Sequence, residues 1–234
     1  MKYKILSVGG SIIIPKTGFD IPFLKKFRAL ILRRVLAGER FILVIGGGGT
    51  CRAYQDAAKA VVPMTNTDLD WVGIYTTQFN AHFVRYLFKG YAHTELIGDP
   101  EKKIKTNKPI LVGAGYAPGA STDHDAVLIA KTYGAKQLLN LSNIEYVYDK
   151  DPNKFSDAQK IESIDWKTFR KEIVGNVWTA GKNVPFDPVA SREAERLGLT
   201  VSILNGTNLP EVQKALAGKK FKGTVITSHD ARHI

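Results

Sequence analysis

Three glycine-rich segments are the residues best suited to chemistry in this sequence of 234 residues. They are Gly9-Gly10-Ser11, Gly46-Gly47-Gly48-Gly49, and the segment 113–123, which reads GAGYAPGASTD. Glycine lets backbone N–H groups approach an anion closely, and a helix that follows adds the positive end of its dipole. A single turn of this kind is explained equally well as a structural connection between a strand and a helix. Three of them, each after a predicted strand of one sheet, indicate a site for several phosphate groups.

The motifs of several other chemistries are missing. The sequence has no G-x-x-x-x-G-K-[ST] loop and no G-x-G-x-x-G fingerprint with its acidic partner, which disfavours P-loop ATPases and dinucleotide enzymes. It has no G-x-S-x-G elbow that would position a serine nucleophile. Cys51, the one cysteine, is interpreted as a packing residue. Phosphoryl transfer needs no nucleophilic side chain, because the protein mainly aligns two anions and neutralises their charge.

The elements that must position these turns follow an α/β pattern. Short β-branched runs alternate with longer helical patterns, which is typical of a mostly parallel sheet with helices on both faces. The fold class is therefore α/β, a three-layer sandwich with a central, mostly parallel sheet. The predicted strands are Tyr3–Val8, Arg40–Ile45, Ala92–Ile97, Pro109–Val112, Gln137–Leu141, Thr200–Leu204 and Gly223–Thr227.

Helix signals occupy the segments between the strands. Asp20 is a predicted N-cap for a helix that reaches about Leu36, and Asp187-Pro188 starts another helix that Gly198 ends. A third helix shows apolar residues at spacings of three and four, and we interpret its aromatic side chains as core rather than as a row for stacking bases. Its apolar positions are Val72, Tyr75, Phe79, Phe83 and Tyr86.

Charge and composition limit the partners. A formal charge of +11 favours anions, which could be nucleotides, nucleic acid or an acidic surface. The basic residues are spread along the chain with no aromatic-interleaved RNA motif, so we expect no nucleic-acid partner. We also expect no membrane partner, because no apolar stretch approaches the about 20 residues of a membrane-spanning helix. The apolar start is interrupted by Gly9 and no A-x-A-like site follows, so we expect a cytoplasmic protein. His229 and His233 are expected in a loose tail.

The order of five segments resembles the amino acid kinase family, and within it the archaeal-type UMP kinases. They are VGGS (8–11), VIGGGGTCRAY (44–54), PGASTDHDA (118–126), NIEYVYDKDP (143–152) and FDPVA (186–190). Together they cover essentially the whole chain. The resemblance implies an acceptor-binding part over residues 1–135 and an ATP-binding part over 136–234, within one compact structural domain. It also implies transfer of the γ-phosphoryl group of Mg-ATP to UMP, with Mg²⁺ as cofactor, and a homo-oligomer such as a hexamer.

The same resemblance assigns roles by matched position. Gly10, Ser11 and Asp187 would surround the reacting phosphates, although the Asp-Pro pair at Asp187 equally suits a helix cap. The acceptor UMP would be held by Gly47, Gly48, Arg52, Asp70, Gly115, Thr122 and Asp123. The residues for ATP would be Gly9, Gly10, Ser142, Asn143, Tyr148 and Asp151.

Three positions depart from the family pattern. Many members carry a lysine where this chain has Ser7, so another cation must neutralise charge, and Lys16 and Lys182 are the candidates. Tyr146 stands where the family's ATP loop has a glycine. Tyr116 stands where UMP kinases tend to have a threonine that helps to recognise the acceptor.

Two alternatives to UMP phosphorylation stay open at this point. One is a non-catalytic nucleotide-binding protein of the same fold with a storage or regulatory role. The other is an enzyme of this fold that acts on a different small phosphate. An acceptor that already carries phosphate fits best, because Arg52 suits a bidentate contact with phosphate oxygens, although it could equally form a structural ion pair. Residues 46–54 lack the histidine usual in isopentenyl phosphate kinases.

Overall fold

The computed structural model describes residues 2–177 and 184–228, in which one seven-stranded sheet lies between two layers of helices. Its order is β3-β2-β1-β4-β8-β9-β7, and all neighbouring strands are parallel except β8 and β9. A separate antiparallel pair joins β5 to β6. The strands are β1 (Tyr3–Val8), β2 (Arg40–Ile45), β3 (Ile110–Gly113), β4 (Gln137–Ser142), β5 (Val147–Tyr148), β6 (Lys160–Ile161), β7 (Ser163–Asp165), β8 (Thr200–Asn205) and β9 (Thr224–Thr227).

Helices connect the strands and cover both faces of the sheet. The short α6 runs on into a π-helical segment, Phe169–Val174. The helices are α1 (Gly10–Ile13), α2 (Ile21–Leu36), α3 (Gly48–Val61), α4 (Asn66–Leu87), α5 (Thr122–Tyr133), α6 (Trp166–Thr168), α7 (Pro188–Arg196) and α8 (Leu209–Leu216). None of the helices in the described ranges combines the length and apolar character needed to cross a bilayer.

Two hydrophobic cores lie on opposite faces of the sheet. Successive strand residues point to opposite faces, so Ile5 packs in one core and its neighbour Leu6 in the other. One core joins α2 and α4 to the sheet, and the second joins α5 and α7. The central strands are buried on both faces, which explains their nearly continuous apolar runs.

Side-chain caps fix where several helices begin. The Asp20 carboxylate accepts from the Phe23 N–H at 2.9 Å, as the sequence predicts for α2. Thr65 and Asp68 form a reciprocal capping box at the start of α4. Ser121 caps α5 through the Asp123 N–H, at 3.1 Å. These local signals set the ends of the loops that carry the site.

The two halves of the chain meet in the middle of the sheet. From β1 the chain builds β2 and β3 on one side, and the later strands of the sheet, from β4 onward, all lie on the other side. The sheet order reverses between β1 and β4, and in open α/β sheets ligands bind in the crevice outside the strands' carboxyl ends at such a switch point. Gly9 follows β1 there and donates its N–H to the Leu141 carbonyl at 2.8 Å.

The structure corrects three predictions about elements. Residues 92–97 form only two isolated bridges to β3, at Ala92 and Ile97, and no strand. The polar segment 147–159, whose content of Asp, Lys and Asn predicts an exposed loop, begins as β5 of the small antiparallel pair. Strand β7 was not predicted, because a strand of three residues is too short to show an alternating apolar pattern.

The aromatic positions of α4 were predicted as core, and most of them are not. Tyr75, Phe79 and Tyr86 are 64%, 71% and 62% exposed. The helix buries its small and polar residues instead, among them Gly73, Thr77, Asn80 and Ala81. The prediction took the larger apolar side chains for the inner face, whereas the inner face of α4 packs closely against glycine turns.

Candidate active site

A cleft of about 570 Å³ opens at the carboxyl ends of β1, β2 and β3. Its lining includes eight of the residues to which the resemblance to the amino acid kinases assigned a role in binding or catalysis. They are Ser11, Gly47, Gly48, Arg52, Asp70, Gly115, Thr122 and Asn143. All three glycine-rich segments therefore contribute to one cavity, as the sequence predicts.

The first two glycine turns fit directly against each other. A Cβ on Gly10 would lie 2.0 Å from the Gly48 nitrogen and 2.5 Å from the Gly46 carbonyl oxygen, so no side chain is possible there. Gly48 has a φ of +63°, a conformation that glycine adopts without strain. The turns also share a hydrogen bond from the Gly46 N–H to the Val8 carbonyl, at 3.0 Å. Two sets of backbone N–H groups are thereby held side by side, each at the start of a helix.

Side chains of helix α4 hydrogen-bond to the second and third glycine-rich segments. Asn80 is fully buried, and its amide donates to the carbonyls of Gly46 and Gly47 at 3.0 and 2.9 Å. The Thr77 hydroxyl accepts from the Gly115 N–H at 2.9 Å and so fixes the third glycine-rich segment. The N–H groups of Gly46 and Gly49 donate to backbone carbonyls, so those of Gly47 and Gly48 are the ones left for the cleft.

Among the residues that the structure describes, two cations and one carboxylate line the cleft. Arg52 lies on α3, and Lys16 follows α1. Asp70 on α4 accepts from the Gly119 N–H at 2.8 Å, which ties the third glycine-rich segment across the cavity. Helix α3 has no acidic residue in its first turn and no side-chain cap, so its positive end faces the cleft. The electrostatics of the cleft favour an anion.

A buried carboxyl lies under the first glycine turn rather than in the cleft lining. The Asp123 Oδ1 atom accepts from the Ser7 hydroxyl and from the Asn140 amide, both at 2.8 Å. The pKa of Asp123 is raised to about 7, mainly by burial and also by the nearby Asp187 charge, while the Ser7 hydrogen bond opposes the rise. Asp123, which the resemblance matches to the acceptor phosphate, therefore lies outside the lining of the cleft.

Asp187 caps α7 and also joins the two halves of the chain. Its Oδ1 accepts from the N–H groups of Val189 and Ala190, and its Oδ2 accepts from the Ser121 N–H at 2.6 Å. The side chain is 1% exposed. Because both carboxylate oxygens are engaged, Asp187 couples the loop before α5 to the first turn of α7. It does not line the cleft.

Burial also shifts neighbouring groups. It raises the pKa of Asp125 to about 7, while a backbone hydrogen bond from Tyr116 opposes the rise. Burial lowers the pKa of His124, whereas the nearby Asp187 charge raises it. Cys51 lines the cleft between α3 and α4, and burial raises the pKa of its thiol. That thiol is consequently a poor nucleophile near neutral pH.

Four of the six residues matched to ATP lie at the end of β4 or beyond it, and among these four only Asn143 lines the cleft. Ser142 ends β4, and Tyr148 lies in β5. Asp151 is exposed and accepts from the Asn153 N–H at 3.0 Å, which closes a turn. Tyr146, in place of the family's glycine, is buried with the Lys160 ammonium 4.9 Å from its ring centroid. Among the described residues only glycines have positive φ, so Tyr146 fits without backbone strain.

Sequence reasoning missed several residues that shape the cavity. Gln55 donates its amide to the Leu69 carbonyl at 2.7 Å and lines the cleft beside Cys51. Gly73 leaves space for both side chains, because a Cβ there would lie 3.4 Å from the Gln55 amide nitrogen. Asn80 was missed too. It could have been found only from its position, because an amide in the middle of an apolar helical pattern indicates a buried polar side chain that needs a hydrogen-bond partner.

Comparisons with known proteins agree with this geometry. The family model described as "Amino acid kinase family" matches residues 2–205. The chain belongs to the amino acid kinase family. A uridylate kinase from Methanocorpusculum labreanum is one of its relatives. Its sequence is 29% identical to this one over 97% of this chain and 96% of its own length. Another, from Methanospirillum hungatei, is 30% identical over 95% and 94%.

Solved structures of the family have the same architecture. The uridylate kinase from Archaeoglobus fulgidus superimposes with a TM-score of 0.79 at 26% identity and covers 97% of this chain and 100% of its own. The UMP kinase from Bacillus anthracis has a TM-score of 0.75 at 17% identity, over 97% and 96% of the two chains. The second likeness concerns the fold alone. The three-layer α/β sandwich of this chain is the amino acid kinase fold.

Proposed function

We propose that this protein transfers the γ-phosphoryl group of Mg-ATP to UMP, giving UDP and ADP for pyrimidine nucleotide synthesis. The observation that carries the proposal is the position of Arg52 in the same cleft as two interlocked glycine turns. One turn suits a phosphoryl group in transit, and the other, beside a guanidinium, suits an acceptor that already carries phosphate. Its relatives over nearly the whole chain are named uridylate kinases, which supports this choice.

The acceptor occupies the part of the cleft built by residues 1–135. In this proposal the N–H groups of Gly47 and Gly48 and the Arg52 guanidinium bind the UMP phosphate. Asp70 accepts hydrogen bonds from the ribose hydroxyls once its contact with Gly119 opens. Gly115 and Thr122 close the cleft over the nucleotide, and Asp123 positions Thr122 from below.

ATP approaches from the part built by residues 136–234. The first glycine turn receives the γ-phosphoryl group, and the loop after β4 holds the nucleotide. The residues assigned to ATP are Gly9, Gly10, Ser142, Asn143, Tyr148 and Asp151. A phosphate oxygen of UMP then attacks the γ-phosphorus, and the bond to the β–γ bridging oxygen breaks as ADP leaves. The N–H groups of Gly10 and Ser11 stabilise the negative charge on the phosphoryl group during its transfer. Asp187 keeps the acceptor part and the ATP part of the site in position relative to each other.

Magnesium fits this site as part of the nucleotide. Within residues 2–177 and 184–228, no three His, Cys, Asp or Glu side chains cluster in a way that could hold a metal ion. Both Asp187 oxygens already accept hydrogen bonds from backbone N–H groups. Mg²⁺ is commonly bound through substrate phosphates and water rather than by a protein cage. When bound together with ATP, it would neutralise part of the charge on the reacting phosphates.

Copies of the chain associate in the cytoplasm as a homo-oligomer, with a hexamer as one form. The exposed aromatic face of α4 supports this part of the proposal. Its rings lie along one side of a 22-residue helix that carries only three charged side chains, Asp68, Asp70 and Arg85. An isologous contact between two copies of α4 would remove these rings from water.

Turnover with purified protein tests the assignment. ADP release is measured with Mg-ATP and a panel of UMP, CMP, dTMP, AMP, GMP and isopentenyl phosphate. We expect activity with UMP and a KM for UMP that rises at least about tenfold in Arg52→Gln, because a charged contact to phosphate is lost. Arg33→Gln, an exposed arginine on α2, is the matched control and should leave the KM unchanged.

The panel also separates the remaining candidates. Activity with another small phosphate and none with UMP would keep the reaction and change the acceptor. Binding of ATP without ADP release on any acceptor would contradict the kinase proposal and favour a nucleotide-binding protein without catalysis.

A further inference from the structure

Within residues 2–177 and 184–228, the side chains that contact β1 just beneath the first glycine turn include no cation. Ser7, in β1, is 3% exposed and donates its hydroxyl to Asp123. Asp187 is buried in this region, and Asp123 is half-buried with its carboxylate bonded to Ser7 and Asn140. The floor of the transfer site is thus made of a hydroxyl and acidic side chains, which cannot neutralise an incoming phosphoryl group. A positive charge has to reach this point from the rim of the cleft.

Of the two candidate cations, Lys16 lines the cleft, in the segment that follows α1, and Lys182 lies outside the described residues. The backbone of this segment packs against the start of α3, where the Gly49 N–H donates to the Ile14 carbonyl at 3.1 Å. A Cβ on Gly49 would lie 3.3 Å from the Lys16 Cα. The backbone of Lys16 therefore lies against the second glycine turn, at the end of the segment that begins with the first turn. In the proposed function, the two phosphates of the transfer meet between these two turns.

The Lys16 ammonium is also uncommitted. No acidic group in the described ranges lies within ion-pair distance of it. Its side chain is exposed to the cleft, and the flexible four-carbon stem of lysine lets the charge follow a moving anion. Asp70 is the only carboxylate among the described lining residues, and it is bonded to Gly119.

We propose that Lys16 is a catalytic residue that neutralises the charge on the phosphoryl group in transit, in place of a cation rising from β1. This inference rests on the proposed phosphotransferase function. It goes beyond that function because it assigns the charge to the loop after α1, whereas Arg52 on α3 holds the acceptor phosphate. An interaction made mainly in the transition state lowers kcat when it is lost, and it leaves KM nearly unchanged.

The test compares Lys16→Met and Lys16→Arg with Lys26→Met, an exposed lysine on α2. We expect Lys16→Met to lower kcat by about 100-fold, the loss typical of one transition-state charge partner, with both KM values within about threefold. Lys16→Arg keeps the charge and should retain kcat within about tenfold. Lys26→Met should match the unmodified protein. A kcat of Lys16→Met equal to that of Lys26→Met, or a rise in the KM for UMP alone, would overturn the inference.

A binding experiment makes the result independent of turnover. Calorimetry with a bisubstrate compound, uridine and adenosine joined by five phosphates, places phosphate at the transfer position. We expect Lys16→Met to weaken its binding at least about tenfold. A protein that turns nothing over but shows this loss keeps Lys16 as the cation that binds phosphate at the transfer position and loses the proposed function. An active protein whose Lys16→Met variant binds and turns over normally keeps the function and loses the inference, and a protein with neither activity nor binding loses both.

Discussion

At the scale of single residues, the site depends on a side chain that never meets a substrate. Asn80 satisfies two backbone carbonyls of the second glycine turn, and in doing so it decides which way the N–H groups of that turn point. A buried carbonyl without a donor costs about 1–3 kcal/mol, so the turn would not keep this orientation unaided. The cradle for the acceptor phosphate is consequently a property of α4 as much as of the glycines.

Asn80→Asp should therefore weaken the acceptor site. The substitution nearly preserves shape, but it sets a carboxyl oxygen against two carbonyl oxygens. We expect the KM for UMP to rise by about tenfold, the KM for ATP to change little, and the free energy of unfolding to fall by about 1–3 kcal/mol. Thr76→Val is the control, because the Thr76 hydroxyl bonds only within its own helix, to Val72. Equal KM values for UMP in the two variants would contradict the positioning role.

At the scale of elements, α4 has two faces with different tasks. The inner face carries Gly73, Thr77 and Asn80 against the turns, and the outer face carries exposed rings. Trp71 and Tyr75 stack at 5.8 Å between centroids, and Arg85 lies over Tyr86 at 4.3 Å. Such prepacked rings lose little side-chain entropy on association, which favours a contact with a second copy.

A charge on this outer face should separate the copies. We expect Tyr75→Glu combined with Phe79→Glu to convert the oligomer to a smaller species, measured as mass by light scattering after size-exclusion chromatography. Leu36 lies at the end of α2 and is 74% exposed, so Leu36→Glu is the control and should leave the mass unchanged. An unmodified protein that elutes as a monomer at micromolar concentration would contradict the α4 interface.

The same elements show what the sequence can and cannot predict. Glycines after apolar runs located the cleft, because close backbone packing such as that of Gly10 tolerates no other residue. The caps at Asp20 and Asp187 predicted two helix starts correctly. The faces of α4 could not be predicted, since periodicity reports that a helix has an apolar side but not which partner covers it. Asn80 and Gln55 were missed because their bonds join elements far apart in sequence.

At the scale of the whole molecule, the buried carboxyls make stability depend on pH in an unusual direction. Asp123 and Asp125 have pKa values raised to about 7 in the folded protein, from about 4 in the unfolded chain. Between these values the folded state binds more protons, so the contribution of each group to stability falls as pH rises from about 4 to about 7. His124 acts oppositely, because its lowered pKa makes the folded state release a proton that the unfolded chain keeps.

Comparing variants isolates the effect of one carboxyl. Asp123→Asn keeps an oxygen that can accept from Ser7 and Asn140 but cannot ionise. We expect it to remove up to about 1.4 kcal/mol per pH unit of the fall in unfolding free energy between pH 5 and 7, while Asp125 and His124 still contribute. Urea unfolding at several pH values measures this slope, with the exposed Asp56→Asn as control. A slope in Asp123→Asn equal to that of Asp56→Asn would mean that Asp123 is already ionised at pH 5, and the floor of the site would then carry a full negative charge at working pH.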